Sequence, residues 1–191
     1  QNINMDGLFA LPLQISDGEN VYLEGETITI DETYDLIAQG KMLKTSLPPI
    51  GRIEELFEQF KEEGYDLVFG VMISSGLSST LSAMQTAAIR YDMPFEYVDC
   101  FSTASNQLHI ATSARKLFDK KVPLEEIKRQ CEMAVDDSVT FVLPVDLKHL
   151  ARGGRITPMA ARLGGFLNIK PVLKVAKDTG GKNDAYDKVR T

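Results

Sequence analysis

The sequence predicts an α/β fold in which a mostly parallel sheet is flanked by helices. Three observations lead there. Short apolar runs such as Leu67-Val68-Phe69-Gly70-Val71-Met72-Ile73 alternate with stretches whose apolar residues recur at helical spacing. Glycines, prolines and Asp-Gly pairs mark the boundaries between them. The run at 67–73 passes directly into Ser74-Ser75-Gly76-Leu77-Ser78-Ser79-Thr80, the order expected of a buried strand, a glycine turn and a helix starting near Ser78. In open α/β sheets ligands sit at the carboxyl ends of the strands, where this turn falls.

Each element has its own signal. Residues 8–30 carry Val21-Tyr22-Leu23 and Thr27-Ile28-Thr29-Ile30 between the turn pairs Asp17-Gly18 and Glu24-Gly25, which predicts a β-hairpin. A short helix follows, with Asp31 as its N-cap and Gly40 as its stop. In Lys44-Thr45-Ser46-Leu47-Pro48-Pro49 the prolines hold the preceding residues extended and present Thr45 and Ser46 on a stiff loop. Ile53, Leu56, Phe57 and Phe60 then fall at i, i+3, i+4 and i+7, predicting a helix over 51–63 that leads to a strand over 66–73. A helix over 78–91 and a strand over 95–99 come next, then a longer helix at about 103–120 with Ile110, Ala114 and Leu117 on one face. Pro123 opens another helix at its first position, with Leu124, Ile127 and Cys131 inward. Thr140-Phe141-Val142-Leu143 is the next strand.

After Asp146 the character changes. Residues 147–177 hold seven Lys or Arg (Lys148, Arg152, Arg155, Arg162, Lys170, Lys174, Lys177) and no Asp or Glu, while the whole chain of 191 residues is at −6, so the remainder is at −13. The asymmetry predicts a boundary, with an α/β domain over 1–146 and, over 147–191, a basic linker and the start of a second α/β domain. It also predicts a docking face for an acidic partner, the alternative being a solvated basic face that balances the acidic body.

Composition excludes several classes. The chain is 43% hydrophobic and 25% charged, as expected of a globular protein, and no apolar run approaches the length of a membrane span. Two cysteines, Cys100 and Cys131, stand in separate elements without C-x-x-C spacing, which predicts a reducing, cytoplasmic setting. His109 and His149 are isolated, so no metal site is expected. An acidic chain whose basic stretch has one aromatic, Phe166, is a poor nucleic-acid binder.

The chemistry concentrates in the hydroxyls. Five of them in one turn, at the end of a helix whose first N–H groups lack intrahelical partners, make a small anion site without a lysine. The bland alternative is that Ser78 caps the helix and the other hydroxyls are solvated. Arg152-Gly153-Gly154-Arg155 reads both as a helix C-terminus closed by glycine and as an anion nest between guanidiniums.

Taken together, the motifs resemble the DegV family of bacterial fatty-acid-binding proteins, whose head-group loops read T-S-Q-P-S and S-S-G-L-S-G-T. Leu150-Ala151-Arg152-Gly153-Gly154-Arg155-Ile156 is similar to the family's L-x-R-G-G-R-I, Asn168-Ile169-Lys170-Pro171-Val172-Leu173 to N-I-K-P-I-L, and Lys188-Val189-Arg190-Thr191 to K-V-R-T. Leu47 stands for the usual glutamine, Pro49 for a serine and Ser79 for a glycine; these departures keep the hydroxyls. The family's opening strand with its D-S-T loop is not found here, and family members continue beyond K-V-R-T, so a fragment lacking the first strand and the C-terminal part is expected. The resemblance implies that a long-chain fatty acid is bound with its carboxylate on Thr45 and Ser75, then Ser46 and Ser74, and with its tail between domains against Ile156, Leu163, Phe166 and Leu167. It further implies presentation of the acid to a separate fatty-acid kinase, which makes an acyl-phosphate for phospholipid synthesis. Arg152, Arg155 and Lys170 are the expected docking residues, Arg155 being nearest the head group. No cofactor beyond the bound acid is expected, and contact with a membrane is at most transient and at its surface. Burying ~15 methylenes is worth a gross ~12 kcal/mol, before the costs of ordering the tail.

The competing reading is a serine-dependent hydrolase acting on an acyl substrate. A nucleophile elbow has the pattern G-x-S-x-G, and Met72-Ile73-Ser74-Ser75-Gly76 lacks its first glycine. A G-x-x-x-x-G-K-[ST] loop is absent from the sequence, so phosphorylation by the chain itself is not expected.

Overall fold

The computed structural model describes residues 5–144, 147–162 and 169–190. Its contacts divide the chain into two compact units, one of residues 1–68 with 82–95 and the other of residues 69–81 with 96–191. The sequence boundary expected after Asp146 falls on residues outside the described ones.

In the first unit β1 (Gln14–Ser16) and β2 (Val21–Leu23) form an antiparallel hairpin, and β3 (Lys44–Ser46) pairs antiparallel with the other side of β1. Asp17 builds the hairpin turn, its carboxylate accepting from the N–H groups of Glu19 and Asn20 at 3.0 and 2.7 Å. Ile15, Ile28 and Leu43 are buried under this sheet with Tyr22 and Leu36. Helix α1 (Ile30–Ala38) is capped two residues earlier than the Asp31 signal suggests. Thr29 is the N-cap, and its hydroxyl and the Glu32 carboxylate satisfy each other's backbone N–H groups. Asp31 lies inside the first turn, where its charge still favours the helix dipole.

Helix α2 (Ile50–Glu62) buries Ile53, Phe57 and Phe60, three of the four residues that its periodicity marks. Phe57 packs its ring against Phe60, Tyr91 and Phe95 with centroids 6.0–6.4 Å apart, and Phe9 lies edge-on to Phe60 at 4.9 Å. The division between units passes through helix α3 (Thr80–Arg90), after Leu81.

The second unit contains β4 (Val68–Met72) and β5 (Phe95–Asp99), each except for its first residue. The Val68 N–H donates to Pro94 O and the Cys100 N–H to Met72 O, so the two strands run in the same direction. Helices α4 (Ala104–Asp119) and α5 (Leu124–Asp136) supply Ile110, Ala114, Ile127, Cys131 and Val135 to a core shared with Val98 and Cys100. Pro123 is the cap of α5 rather than its first residue. Then come β6 (Thr140–Val142), the short helices α6 (Leu147–Arg152) and α7 (Pro158–Arg162), β7 (Ile169–Val175) and β8 (Asp184–Arg190). These last strands form an antiparallel sheet in the order β6-β7-β8, with a register shift between Val172 and Leu173. The fold is thus α/β with a partly parallel arrangement, parallel at β4–β5 and antiparallel in the other two sheets. Among the described residues no helix is long and apolar enough to cross a membrane.

Candidate hydroxyl-turn site

The turn leaves β4 at its carboxyl end, where the sequence places it. Ser74 is fully buried and forms the hub. Its N–H donates to Ser102 O at 2.9 Å, and its carbonyl accepts from the N–H groups of Leu77 and Ser78 at 2.9 and 3.0 Å. Its hydroxyl donates to Gly181 O at 2.8 Å and accepts from the Gly76 N–H at 3.1 Å. The single proton of that hydroxyl is therefore committed within the chain.

Ser75 differs in every respect. Its side chain is exposed, and its N–H points to both oxygens of the Asp99 carboxylate at 3.2 and 3.4 Å. Asp99 ends β5 and also accepts from the Phe101 N–H at 2.9 Å. Ser78 is half-buried; its oxygen accepts from the Thr80 N–H at 3.2 Å and pairs with the Thr80 hydroxyl at 2.7 Å, a local turn just before α3. The helix itself begins at Thr80, two residues later than Ser78. Several N–H groups that the sequence leaves for an anion are thus satisfied by the turn and by Asp99. Of the five hydroxyls, Ser75 and Ser79 are exposed.

Glycine is required at Gly76. A Cβ there would lie 2.4 Å from Gly180 O and 2.8 Å from Gly181 C, so backbone meets backbone. Gly181 has φ +68°, and a Cβ on it would lie 1.9 Å from the Ser74 Oγ. The chain after β5 adds strain of its own, with Phe101 at φ 42° and Ala104, the first residue of α4, at φ 54°, both in the left-handed region. Beside them a buried Ser102 shares a 2.6 Å hydrogen bond with the Thr140 hydroxyl, which also accepts from Asn106 Nδ2 at 2.9 Å.

Arg155 is half-buried and approaches the turn from the segment after α6. Its Nε donates to Leu77 O at 3.2 Å and its Nη1 to Gly153 O at 2.5 Å. Arg152 is exposed at the end of α6. Lys170 pairs with Val189 in the β7–β8 ladder. Ile156 is half-buried against the cluster of Leu147, Ala160 and Leu173 and bridges to Asn183. Leu163, Phe166 and Leu167, expected to meet the lipid tail, lie outside the described residues.

Thr45 and Ser46 belong to the first unit, and Ser74 and Ser75 to the second. The stiff loop expected for the former pair is the strand β3, with Thr45 opposite Ile15 and Ser46 opposite Gln14. The prolines explain the difference: they enforce an extended backbone, and a β-branched threonine in an extended chain beside β1 completes a ladder. Both side chains are exposed, and Gln14 Nε2 anchors the following residue by donating to Leu47 O at 2.9 Å.

Burial pushes the thiols of Cys100 and Cys131 up to about 11. Both stay protonated near neutral pH and are inert. Asp99, Gly181 and Asn183 were not singled out by the sequence. An acid closing an apolar run marks Asp99 and the Gly180-Gly181 pair marks a turn, but neither pattern says what lies opposite.

The family model described as "Uncharacterised protein, DegV family" matches residues 1–191. The chain is similar to the DegV domain-containing protein spr1415 of Streptococcus pneumoniae, at 30% identity over all of this chain and 68% of that protein. It is also similar to the DegV domain-containing protein YqaC of Lactococcus lactis, at 33% identity over 97% of this chain and 66% of that one. Among solved structures, the fatty acid binding DegV family protein SAG1342 from Streptococcus agalactiae superposes with a TM-score of 0.87 at 29% identity, covering 98% of this chain and 66% of that one. DegV from Bacillus subtilis, a fatty acid binding protein, gives a TM-score of 0.80 at 28% identity, covering 95% and 64%. The chain spans about two thirds of the length of these relatives.

Proposed function

The chain belongs to the DegV family, and on that premise we propose that it binds a long-chain fatty acid and presents it to a separate fatty-acid kinase. The observation that carries the reading is its likeness, at TM-scores of 0.87 and 0.80, to two DegV proteins that bind fatty acids. The local chemistry supports it. Ser75 offers an exposed hydroxyl on a turn whose backbone is held by Asp99 and Arg155. Thr45 and Ser46 offer two more on β3. In this reading Thr45 and Ser75 hold the carboxylate with Ser46 beside them, and the tail runs between a head-group domain and a domain that begins after residue 146, meeting Ile156, Leu163, Phe166 and Leu167. A neutral hydroxyl cage accommodates a carboxylate and an acyl-phosphate alike, where a lysine would discriminate between them. The bound acid is the ligand, no cofactor is needed, and the setting is the cytoplasm. Arg152, Arg155 and Lys170 serve as docking residues for the kinase, whose product feeds phospholipid synthesis.

The deciding experiment is mass spectrometry of an organic extract of the purified protein, with titration of the delipidated protein with oleate. A co-purified long-chain acid and saturable oleate binding are expected. A clean extract together with no oleate binding overturns the reading. For the docking face, charge reversal at Arg152 or Lys170 should slow association with the kinase and weaken its salt dependence while lipid occupancy stays constant. The hydrolase alternative gains no support: the proton of Ser74 goes to the Gly181 carbonyl, which is not a base.

A further inference from the structure

The hydroxyl turn is gripped from a distant part of the chain, at two points. One grip is direct: the buried Ser74 hydroxyl donates to Gly181 O at 2.8 Å, and there is no room for a Cβ on Gly76 against Gly180 O or on Gly181 against the Ser74 Oγ. The second runs through an intermediary. Asn183 is buried and its Nδ2 donates to Arg155 O at 2.6 Å, while the Arg155 Nε donates to Leu77 O at 3.2 Å. The segment 180–183 thus holds the start of the turn at Ser74 and its far side at Leu77, with Ser75 between.

That segment is itself rigid. It follows a 3-10 turn at Lys177–Thr179, and the Gly180 and Gly181 N–H groups donate back to Lys177 O and Ala176 O at 3.0 and 2.9 Å. The Thr179 hydroxyl lies 2.9 Å from Ala176 O and 2.8 Å from Lys182 O. Asn183 O accepts from the Thr157 N–H at 2.9 Å, fixing the residues beyond Arg155 as well.

We propose that Ser74, Asn183 and Arg155 are positioning residues, and that the 180–183 segment is a clamp that sets the pose of the Ser75 hydroxyl toward the ligand head group. This rests on the reading of Ser75 as a fatty-acid contact. It assigns Ser74 to the clamp, because a donor held by Gly181 O has no proton left for a carboxylate. It also makes Arg155 the link between the basic segment and the turn, so that a partner pulling on Arg155 acts on Leu77.

The test uses amide hydrogen exchange of the protein together with the carboxyl resonance of oleate labelled with ¹³C at C1. Ser74→Ala removes the direct grip. Arg155→Lys keeps the charge but removes the Nε donor to Leu77 O. In both, the amides of Ser75, Gly76 and Leu77 should exchange about tenfold faster or more, as expected for one or two lost hydrogen bonds, while those in α5 are unchanged. The bound carboxyl resonance should broaden and move toward its free position, and oleate should dissociate faster, neither of which a purely structural role would cause. Wild-type exchange at the three amides in Arg155→Lys overturns the clamp, even where Ser74→Ala fails to fold. So does an unchanged carboxyl resonance in variants whose turn has loosened. If wild-type protein leaves the oleate resonance at its free position, the fatty-acid reading fails, and the exchange rates still decide the clamp.

Discussion

The turn at 74–77 and the strand at 44–46 look alike in sequence, each a short hydroxyl cluster between an apolar stretch and a helix, and they are built on opposite principles. The turn is wired inward: Ser74 is buried, bonded on every side, and joined to a partner 107 positions away. The strand β3 is held by its backbone ladder to β1, and Thr45 and Ser46 are exposed. A hydroxyl cluster can therefore be scaffold or contact surface. What separates the two is where each proton goes.

The largest effect that would break this contrast comes from glycine. Gly76→Ala puts a methyl group into backbone atoms and should cost about 3 kcal/mol in urea unfolding. Gly51, which follows β3 at the start of α2, has open space around it, and Gly51→Ala should be neutral or stabilise by about 0.5 kcal/mol. Equal losses at the two positions would mean the turn is not packed as described.

Next is Ser74→Ala, which leaves the buried Gly181 carbonyl without its donor and should cost about 2 kcal/mol. Thr45→Ala, at an exposed position of β3, should cost about 0.5 kcal/mol or less. Thermal unfolding of both variants measures the gap.

The unit that contains the turn should also show its own alkaline sensitivity. Cys100 and Cys131 have folded-state pKa values raised from 9.0 to about 11. Their contribution is therefore complete below pH 9 and is lost as pH rises through 11, because the unfolded chain has released protons that the folded one retains. The loss should be at most about 3 kcal/mol per thiol. Denaturation across this window should show a shallower decline in Cys131→Ala than in the parent protein.

The smallest effect on stability sharpens the comparison most. Ser75→Ala should change stability by about 0.5 kcal/mol or less and yet weaken oleate binding about tenfold. If Ser75→Ala leaves binding intact while Ser74→Ala abolishes it without unfolding, the roles of scaffold and contact are reversed.

The sequence made the helices legible because burial repeats locally. Ile53, Phe57 and Phe60 on α2, and Ile127 and Cys131 on α5, are the buried residues that helical spacing marks. Capping was read with less success, since Thr29 and Asp31 are both good caps and only the geometry of Glu32 selects Thr29. The α/β class came from alternation, which says little about pairing direction in strands such as 14–16, 140–142 and 184–190. At the candidate site the hydroxyls and the glycine were visible as a motif, but their division of labour was not. The partners of Ser74 and Leu77 are Gly181 and Arg155, far away in sequence, and long-range contacts leave no local period to read.

The separation between Ser74 and Gly181 has a consequence for the order in which the molecule assembles. Joining residues 107 positions apart closes a large loop, and its entropic cost is met only after nearer contacts have formed. On the ribosome, where domains form as they emerge, β4, β5 and the α4–α5 core can be in place while residue 181 is still unmade. The hydroxyl turn acquires its final shape only when that residue arrives. Until then the nascent chain carries a finished sheet end and an unfinished grip on Ser74.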